Sequence, residues 1–185
     1  GGSGTGDNAD TGQGSFNGDR VRQAASLATF TQQLRTSTGD PDVVLMGDFN
    51  AYTREDPIEA LRAAGFTDLG EQFDPGRYSY VFDDMSGSLD HAMATRELTA
   101  KVTDLTHWNI NAVESFAYQY TGAPALYAPN QFRSSDHDPL VLGVPGAVHL
   151  AHAAAAQRPE EPVGTEGLSL HPAPRSRRRR PRVPQ

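Results

Sequence analysis

Residues 43–50 read Val-Val-Leu-Met-Gly-Asp-Phe-Asn, and this stretch decides the fold class. The apolar run at 43–46 is short and partly β-branched, which is typical of a buried strand in the centre of a sheet. Asp48 and Asn50 follow at the two-residue period of a strand, so we predict that they share one face where the strand ends. Because α/β sheets bind ligands at such strand ends, the stretch predicts a polar site there.

Helices are predicted on both sides of this strand. Apolar residues recur at roughly helical spacing over 20–35, which predicts an amphipathic helix with one buried face. Downstream, Asp56, Pro57 and Glu59 have the order of an N-cap, a first-turn proline and a capping carboxylate. We therefore predict a short helix over 57–64.

Four further apolar segments predict strands in the second half of the sequence. Two of them, 78–82 and 89–95, flank an Asp-Asp-Met-Ser-Gly connection, and the others lie at 102–110 and 139–144. Residues 111–133 have aromatic residues, glycine and proline without a period, so we predict a long ordered loop. The mixture of helices and strands predicts an α/β (α+β) fold.

Composition bounds the organisation of the chain. With 185 residues, of which 37% are hydrophobic, the chain has the size of one domain with irregular ends. We expect an exposed loop at 1–17, a folded domain at 18–145 and a disordered tail rich in Ala, Pro and Arg at 146–185. The arginine run at 177–180 could be a nucleic-acid patch, but an unstructured end of a coding region explains it better.

Charge and cysteine content exclude several classes of function. The formal net charge is −7, and residues 1–150 carry nine basic and 20 acidic side chains, a net of −11. Such a domain does not hold nucleic acid by bulk electrostatics, and a phosphodiester substrate would need a bound divalent cation to reverse the sign locally. The absence of cysteine excludes disulfides, thiolate zinc sites and cysteine nucleophiles.

Two more polar segments accompany the predicted strands. Asp90 opens the strand at 89–95 on the face of its small residues, whereas His91 faces the core, where a backbone carbonyl is its most probable partner. The segment Ser-Ser-Asp-His-Asp-Pro at 134–139 precedes the last strand, and Pro139 restricts the residue before it to extended conformations. Each segment alone could be an Asx turn or a helix cap, so only their combination is informative.

In this order, the segments resemble the endonuclease/exonuclease/phosphatase superfamily, the deoxyribonuclease I-like enzymes. The shared signatures are Gly-Asp-Phe-Asn, an Asp that opens a late strand, and Ser-Asp-His ahead of an apolar strand. Tyr-Ser-Tyr-Val-Phe at 78–82 and Leu-Asp-His-Ala at 89–92 are similar to the secreted bacterial nuclease branch. The likeness covers about residues 7–145 and implies the C-terminal half of a four-layer αββα sandwich with a mostly antiparallel or mixed sheet.

The resemblance also implies roles for five residues. Asp48 would orient or activate the attacking water, and Asn50 would hold the scissile phosphate. His137 would assist charge transfer at the phosphate, with Asp90 as its partner, because a carboxylate on one imidazole nitrogen fixes the tautomer. Asp136 would contribute to the metal centre, and oxygen ligands suit Mg²⁺, Mn²⁺ or Ca²⁺.

The resemblance implies a metal-dependent phosphodiesterase, an extracellular endonuclease on DNA or RNA that acts as a monomer when complete and without a membrane. The family pattern has a first half with further metal ligands, and the sequence has no histidine before His91, so we expect this chain alone to have little activity and poor stability. Two alternatives stay open: a phosphatase of the same superfamily on a small phosphoester, and an inactive remnant or binding module.

Overall fold

The computed structural model describes residues 4–119 and 121–146, and it confirms a mixed α/β fold with antiparallel sheets. Most of the tail predicted at 146–185 lies outside the described residues. Four helices and seven strands follow in chain order: α1 Asn17–Thr38, β1 Val44–Asp48, α2 Asp56–Ala63, β2 Phe66–Asp68, α3 Leu69–Phe73, β3 Tyr80–Phe82, β4 Met85–Gly87, β5 Asp90–Thr95, α4 Arg96–Thr99, β6 Asp104–His107 and β7 Leu140–Gly143.

The main sheet has the strand order β1–β5–β2, and both pairings are antiparallel. Strand β5 is therefore the central strand, and β1 is an edge strand of the part that the structure describes. The prediction of a buried central strand at 43–46 was wrong in this respect: β1 is half-buried at its first two residues and exposed at Met46, Gly47 and Asp48. An apolar run indicates a strand, but the number of its neighbours depends on the tertiary fold.

The hydrophobic core lies on both faces of β5. On one face, Met93 packs with Ile58 and Leu61 of α2 and with Ala24 of α1. On the other face, Ala92 packs in a cluster that includes residues of α3, α4 and β6 and the half-buried apolar side chains of β7. A strand covered on both faces holds its end rigidly, and β5 begins at Asp90.

Strands β3 and β4 form a hairpin that the sequence did not predict. They pair from Tyr80 with Gly87 to Phe82 with Met85, so Asp83 and Asp84 form a two-residue turn. Both turn residues have positive φ angles, 50° and 62°, as a hairpin turn of the I′ type requires. Asn-Gly or Asp-Gly is the usual signal of this turn, and its absence explains why the segment was interpreted as a connection.

Both predicted helices are present, with corrections of detail. Helix α1 buries only Ala24 and Thr31, whereas its aromatic residue Phe30 is 57% exposed, so the predicted apolar face is narrow. Helix α2 has Glu55 at its N-cap, one residue before the predicted Asp56, and Pro57 lies in its first turn. The local signals placed both helices within a few residues, which is the usual precision of such signals.

The remaining segments agree with the prediction of an irregular connection. Between Asn111 and Arg133, the described residues contain one short 3-10 turn, Phe116–Tyr118, and no strand. At the other end of the domain, residues 4–16 contain a 3-10 turn, Gly6–Asn8, before α1 begins. None of the helices within 4–119 and 121–146 has the length and apolarity needed to cross a membrane.

Candidate active site

Asp48 and Asn50 are joined by an Asx turn at the end of β1. One carboxylate oxygen of Asp48 accepts a hydrogen bond from the backbone N–H of Asn50 at 2.7 Å, and the other accepts from its side-chain amide at 3.1 Å. Asn50 lies beyond the strand with a φ of 47°, in the left-handed region that asparagine tolerates. The turn, rather than the predicted strand alternation, therefore brings the two side chains together. Both are exposed to solvent.

A partly buried ion pair supports this turn. The guanidinium of Arg20 on α1 donates to the backbone carbonyl of Asn50 at 2.7 Å and pairs with Glu55. The two side chains are only 13% and 17% exposed, so the pair is poorly screened by solvent and fixes α1 to the loop after β1. Neither residue was singled out from the sequence, because an ion pair between residues 35 positions apart leaves no local pattern.

Asp90 and His137 form a hydrogen-bonded pair, as the resemblance implied. Nδ1 of His137 lies 2.7 Å from a carboxylate oxygen of Asp90, and the ring of His137 stacks on Tyr80 with 4.5 Å between the ring centroids. Since an ionised carboxylate only accepts hydrogen bonds, Nδ1 carries the hydrogen and Nε2 is the nitrogen that can exchange a proton. Both side chains are partly accessible, at 15% for Asp90 and 23% for His137.

The antiparallel register of the main sheet places the two halves of the site side by side. Asp48, the last residue of β1, pairs with Asp90, the first residue of β5. The Asx turn and the imidazole pair thus lie side by side where β1 ends and β5 begins, although their residues span 90 positions of the chain. The four predicted catalytic residues, Asp48, Asn50, Asp90 and His137, are connected by this register and by the hydrogen bonds; their catalytic role stays a prediction.

Ser79 holds the two members of the imidazole pair together. It is fully buried, and its hydroxyl oxygen accepts hydrogen bonds from the backbone N–H groups of Leu89 and Asp90 at 3.1 and 3.0 Å. Its carbonyl oxygen accepts from the backbone N–H of Asp138 at 2.7 Å, directly after His137. One buried residue therefore fixes the backbone beside both partners, and a single small polar residue gives no recognisable sequence signal of this role.

The carboxylate of Asp138 organises the loop that carries His137. It is 2% exposed and accepts three hydrogen bonds, from the side chain of Asn109 at 2.7 Å and from the backbone N–H groups of Asn111 and Ala112 at 2.7 and 3.0 Å. The side chain of Asn111 in turn donates to the carbonyl of His137 at 2.8 Å. A buried carboxylate with its oxygens satisfied in this way is rigid, so the imidazole is held by its own backbone as well as by Asp90.

The other two histidines of the described part are also paired with carboxylates. His91 is buried, as predicted, with Nε2 at 2.9 Å from the carbonyl of Ala51 and Nδ1 at 3.2 Å from Asp68. Nδ1 of His107 lies 3.2 Å from a carboxylate oxygen of Asp74. Burial alone would raise the pKa of the Asp74 carboxyl, but hydrogen bonds from the backbone and ring of His107 outweigh it and lower this pKa below its usual value. Only His137 of the three combines a carboxylate partner with partial exposure.

The metal role of Asp136 stays a prediction, which the chemistry of the donors permits. The carboxylates of Asp48 and Asp136 and the amide oxygen of Asn50 are hard oxygen donors, which suit Mg²⁺, Mn²⁺ or Ca²⁺. Within residues 4–119 and 121–146, however, no three His, Asp or Glu side chains lie close enough together to hold a metal ion. Magnesium commonly uses one or two carboxylates and several waters, so carboxylates of this kind suit such an ion by their chemistry.

In this fold a carboxylate–imidazole pair lies beside a carboxylate–amide pair at the paired ends of β1 and β5. The model of the endonuclease/exonuclease/phosphatase family matches residues 5–137, and the chain belongs to this family. It is thereby a member of a superfamily of phosphodiesterases and phosphatases, which commonly use divalent metals. No curated protein matches the chain.

If Asp90 and His137 have the predicted catalytic role, replacing Ser79 with alanine is expected to lower the turnover number of phosphate-ester hydrolysis about tenfold or more while the KM changes little, because small misplacements of catalytic groups are costly. Two partly buried N–H groups, of Leu89 and Asp90, lose their acceptor, which also costs about 1–3 kcal/mol of stability. Steady-state kinetics across pH and thermal unfolding measure both effects. Ser86→Ala, at an exposed position of β4, is the control. A Ser79→Ala protein with normal turnover would show that Ser79 does not position the pair.

Proposed function

We propose that this chain hydrolyses phosphodiester bonds of nucleic acids, as an extracellular endonuclease in which water attacks phosphorus in line. The observation that carries the proposal is the hydrogen-bonded Asp90–His137 pair, which lies beside Asp48 and Asn50 where β1 ends and β5 begins. The resemblance of the sequence to the secreted nuclease branch supports nucleic acid as the substrate. Membership of the family supports phosphate-ester hydrolysis.

In this proposal, Asp48 orients the attacking water and Asn50 binds the scissile phosphate. An exposed carboxylate accepts hydrogen bonds from water and can orient it for attack. The amide of Asn50 has two N–H donors, and one of them is engaged with Asp48, so the second can donate to a phosphoryl oxygen. The Asx turn keeps the two groups in a fixed relation, which lowers the entropic cost of bringing water and phosphate together.

His137 is positioned to assist charge transfer at the phosphate. Asp90 accepts the hydrogen bond from Nδ1–H of His137, and the ring of Tyr80 stacks on the imidazole. Nε2 is then the nitrogen that exchanges a proton during the reaction. A general acid or base placed in this way contributes about 10²–10⁴-fold to the rate. Asp90 acts through the imidazole, since it fixes the tautomer and the orientation of the ring.

A divalent metal ion completes the proposed centre. When bound, the ion would neutralise the negative charge that grows on the phosphoryl oxygens. Asp136 is the proposed ligand, because it precedes His137 and carries a hard oxygen donor. Among the described residues no three His, Asp or Glu side chains lie close enough together to hold the ion, so the proposal requires water and further ligands to complete its shell. Mg²⁺ is the proposed ion, with Mn²⁺ or Ca²⁺ as substitutes.

The expected result of a direct assay is slow cleavage of DNA or RNA by the chain in Mg²⁺, loss of cleavage in EDTA and recovery when Mg²⁺ is restored. A fluorogenic oligonucleotide at high protein concentration gives the sensitivity that a partial metal shell requires. Asp48→Asn should abolish cleavage, whereas Asp7→Asn, at an exposed carboxylate remote in sequence from the site motifs, should not.

Two outcomes would replace this function. Hydrolysis of p-nitrophenyl phosphate without any cleavage of oligonucleotides or of bis-p-nitrophenyl phosphate would favour a phosphatase of small phosphoesters. No hydrolysis of any substrate, together with no heat of metal binding in calorimetry, would favour an inactive binding module.

A further inference from the structure

The described residues of the long loop at 111–133 line an open, solvent-accessible cavity of about 440 Å³ that the proposed mechanism does not use. Tyr118, Leu126 and Phe132 line it, and each of these large side chains is about half exposed, at 50%, 48% and 49%. A folded protein gains nothing from exposing apolar rings around a cavity, so such a surface is more typical of a binding site than of core packing.

The cavity is built on a buried and rigid base. Arg133 lines it and is only 9% exposed, and its guanidinium donates to the carbonyls of Asn111 and Ala112 and to the side chain of Gln119. These contacts tie the two ends of the loop together. Arg133 also has a φ of 51°, a left-handed conformation that a large side chain adopts only when its surroundings fix it. The cavity is therefore a feature of the folded loop.

Hydrogen bonds connect the base of the cavity to the candidate active site. Arg133 donates to the carbonyl of Asn111 at 2.8 Å, and the side chain of Asn111 donates to the carbonyl of His137 at 2.8 Å. The chain between Arg133 and His137 spans at most about 14 Å, from the length of an extended residue. A base a short way along the strand from a scissile phosphate at His137 can therefore reach this cavity.

We propose that this cavity binds an unstacked nucleobase of a single-stranded segment beside the scissile phosphate, an inference that rests on the proposed function. Aromatic side chains bind bases of any identity by stacking, and Tyr118 and Phe132 offer two such rings. Asn130 and Glu114 add an amide and a carboxylate at the cavity wall, which can pair with the edge of a base.

The charge of the domain favours this occupant. Residues 1–150 carry a net charge of −11, so contacts to the phosphate backbone cannot supply most of the affinity for nucleic acid. Stacking of an uncharged base is free of that repulsion. The cavity therefore provides the kind of attraction that an acidic nuclease lacks elsewhere, and it predicts a preference for single-stranded over fully paired substrate.

The test is equilibrium binding of a labelled octathymidylate with phosphorothioate linkages, measured by fluorescence anisotropy in Mg²⁺. A matched oligomer with abasic sugars is the second ligand. Phe132→Ala and Tyr118→Ala should each weaken binding of octathymidylate about tenfold, the equivalent of about 1.4 kcal/mol per lost stacking ring. Neither variant should change binding of the abasic oligomer. Phe30→Ala, at an exposed aromatic residue of α1, should bind both ligands normally.

The ring-preserving variant Phe132→Tyr guards against misfolding, since it should retain binding if stacking is the cause. Binding does not need turnover, so the two proposals fail separately: tight base-dependent binding without any hydrolysis would refute the proposed function alone. Equal affinity of the wild type for thymidylate and abasic oligomers would overturn the nucleobase site. An apolar dye that fills the cavity and is not displaced by octathymidylate would also overturn it.

Discussion

His137→Ala is expected to lower phosphodiester hydrolysis about 10²–10⁴-fold, the contribution of a positioned general acid or base. The hydrogen bond from Nδ1 to Asp90 and the partial exposure of the imidazole leave Nε2 as the ring nitrogen that can exchange a proton with a substrate. Because the backbone of this loop is held by Asp138 rather than by the imidazole, the variant should keep its fold. Turnover of a fluorogenic oligonucleotide in Mg²⁺ measures the effect.

A double-mutant comparison shows whether Asp90 acts through His137. Asp90→Asn alone should also reduce turnover, and the combination with His137→Ala should be little worse than His137→Ala, since residues that act as a unit are not additive. Gln131→Ala, at an exposed position of the same loop, is the control. Turnover within twofold of the wild type in His137→Ala would remove the imidazole from the mechanism.

Asp68→Ala is expected to lower the free energy of unfolding by about 3–5 kcal/mol, the cost of removing one partner from a buried ion pair. Its carboxylate is buried at 5% exposure, lies 3.2 Å from Nδ1 of His91 and 3.1 Å from Arg62, and caps α3 through the N–H of Gly70. For a domain of this size, the melting temperature should fall by roughly 6–20 °C. Thermal unfolding at neutral pH measures the loss.

The exposed pair of Asp7 and Arg22 provides the matched control. Their side chains are 65% and 58% exposed, so Asp7→Ala should change stability by about 0–1 kcal/mol. A decrease of less than about 1 kcal/mol in Asp68→Ala would mean that the buried network is not a major source of stability.

The same carboxylate predicts how the stability of the chain changes in acid. Burial alone would raise the pKa of Asp68. Hydrogen bonds from His91 and from the backbone of Glu71, together with the charges of His91 and Arg62, outweigh this effect and lower the pKa below its usual value. A carboxyl group with a lowered pKa in the folded state stabilises the protein fully at pH values above its unfolded pKa of about 3.9. This stabilisation is lost as the pH falls through the folded pKa. The difference in stability between the wild type and Asp68→Ala should therefore shrink below about pH 4.

Local sequence patterns predicted the elements that depend on neighbouring residues. The apolar run before Asp48, the proline in the first turn of α2 and the helical period of α1 each act within a few residues, so helices and strands were predicted close to their observed bounds. The short elements β2, β4, α3 and α4 were missed, because segments of three to five residues carry too little periodicity to be recognised.

The residues of the candidate site were proposed from the family resemblance, since each polar segment alone could be an Asx turn or a helix cap and only their combination in this order was informative. Asp48, Asn50, Asp90 and His137 were found in this way. The residues that hold them, Ser79 among them, were not, because a buried hydroxyl or guanidinium gains its role only from the segment that packs against it.

The sequence by itself determined the polar segments, the strands that carry them and the family to which the chain is similar. Only the tertiary structure decided that β1 lies at the edge of the described sheet, that β5 pairs Asp90 with Asp48, and that His137 reaches Asp90 across 47 positions of the chain. The physical reason is that side-chain alternation fixes which face of a strand a residue occupies, whereas strand partners and loop closures are chosen by packing of the whole domain.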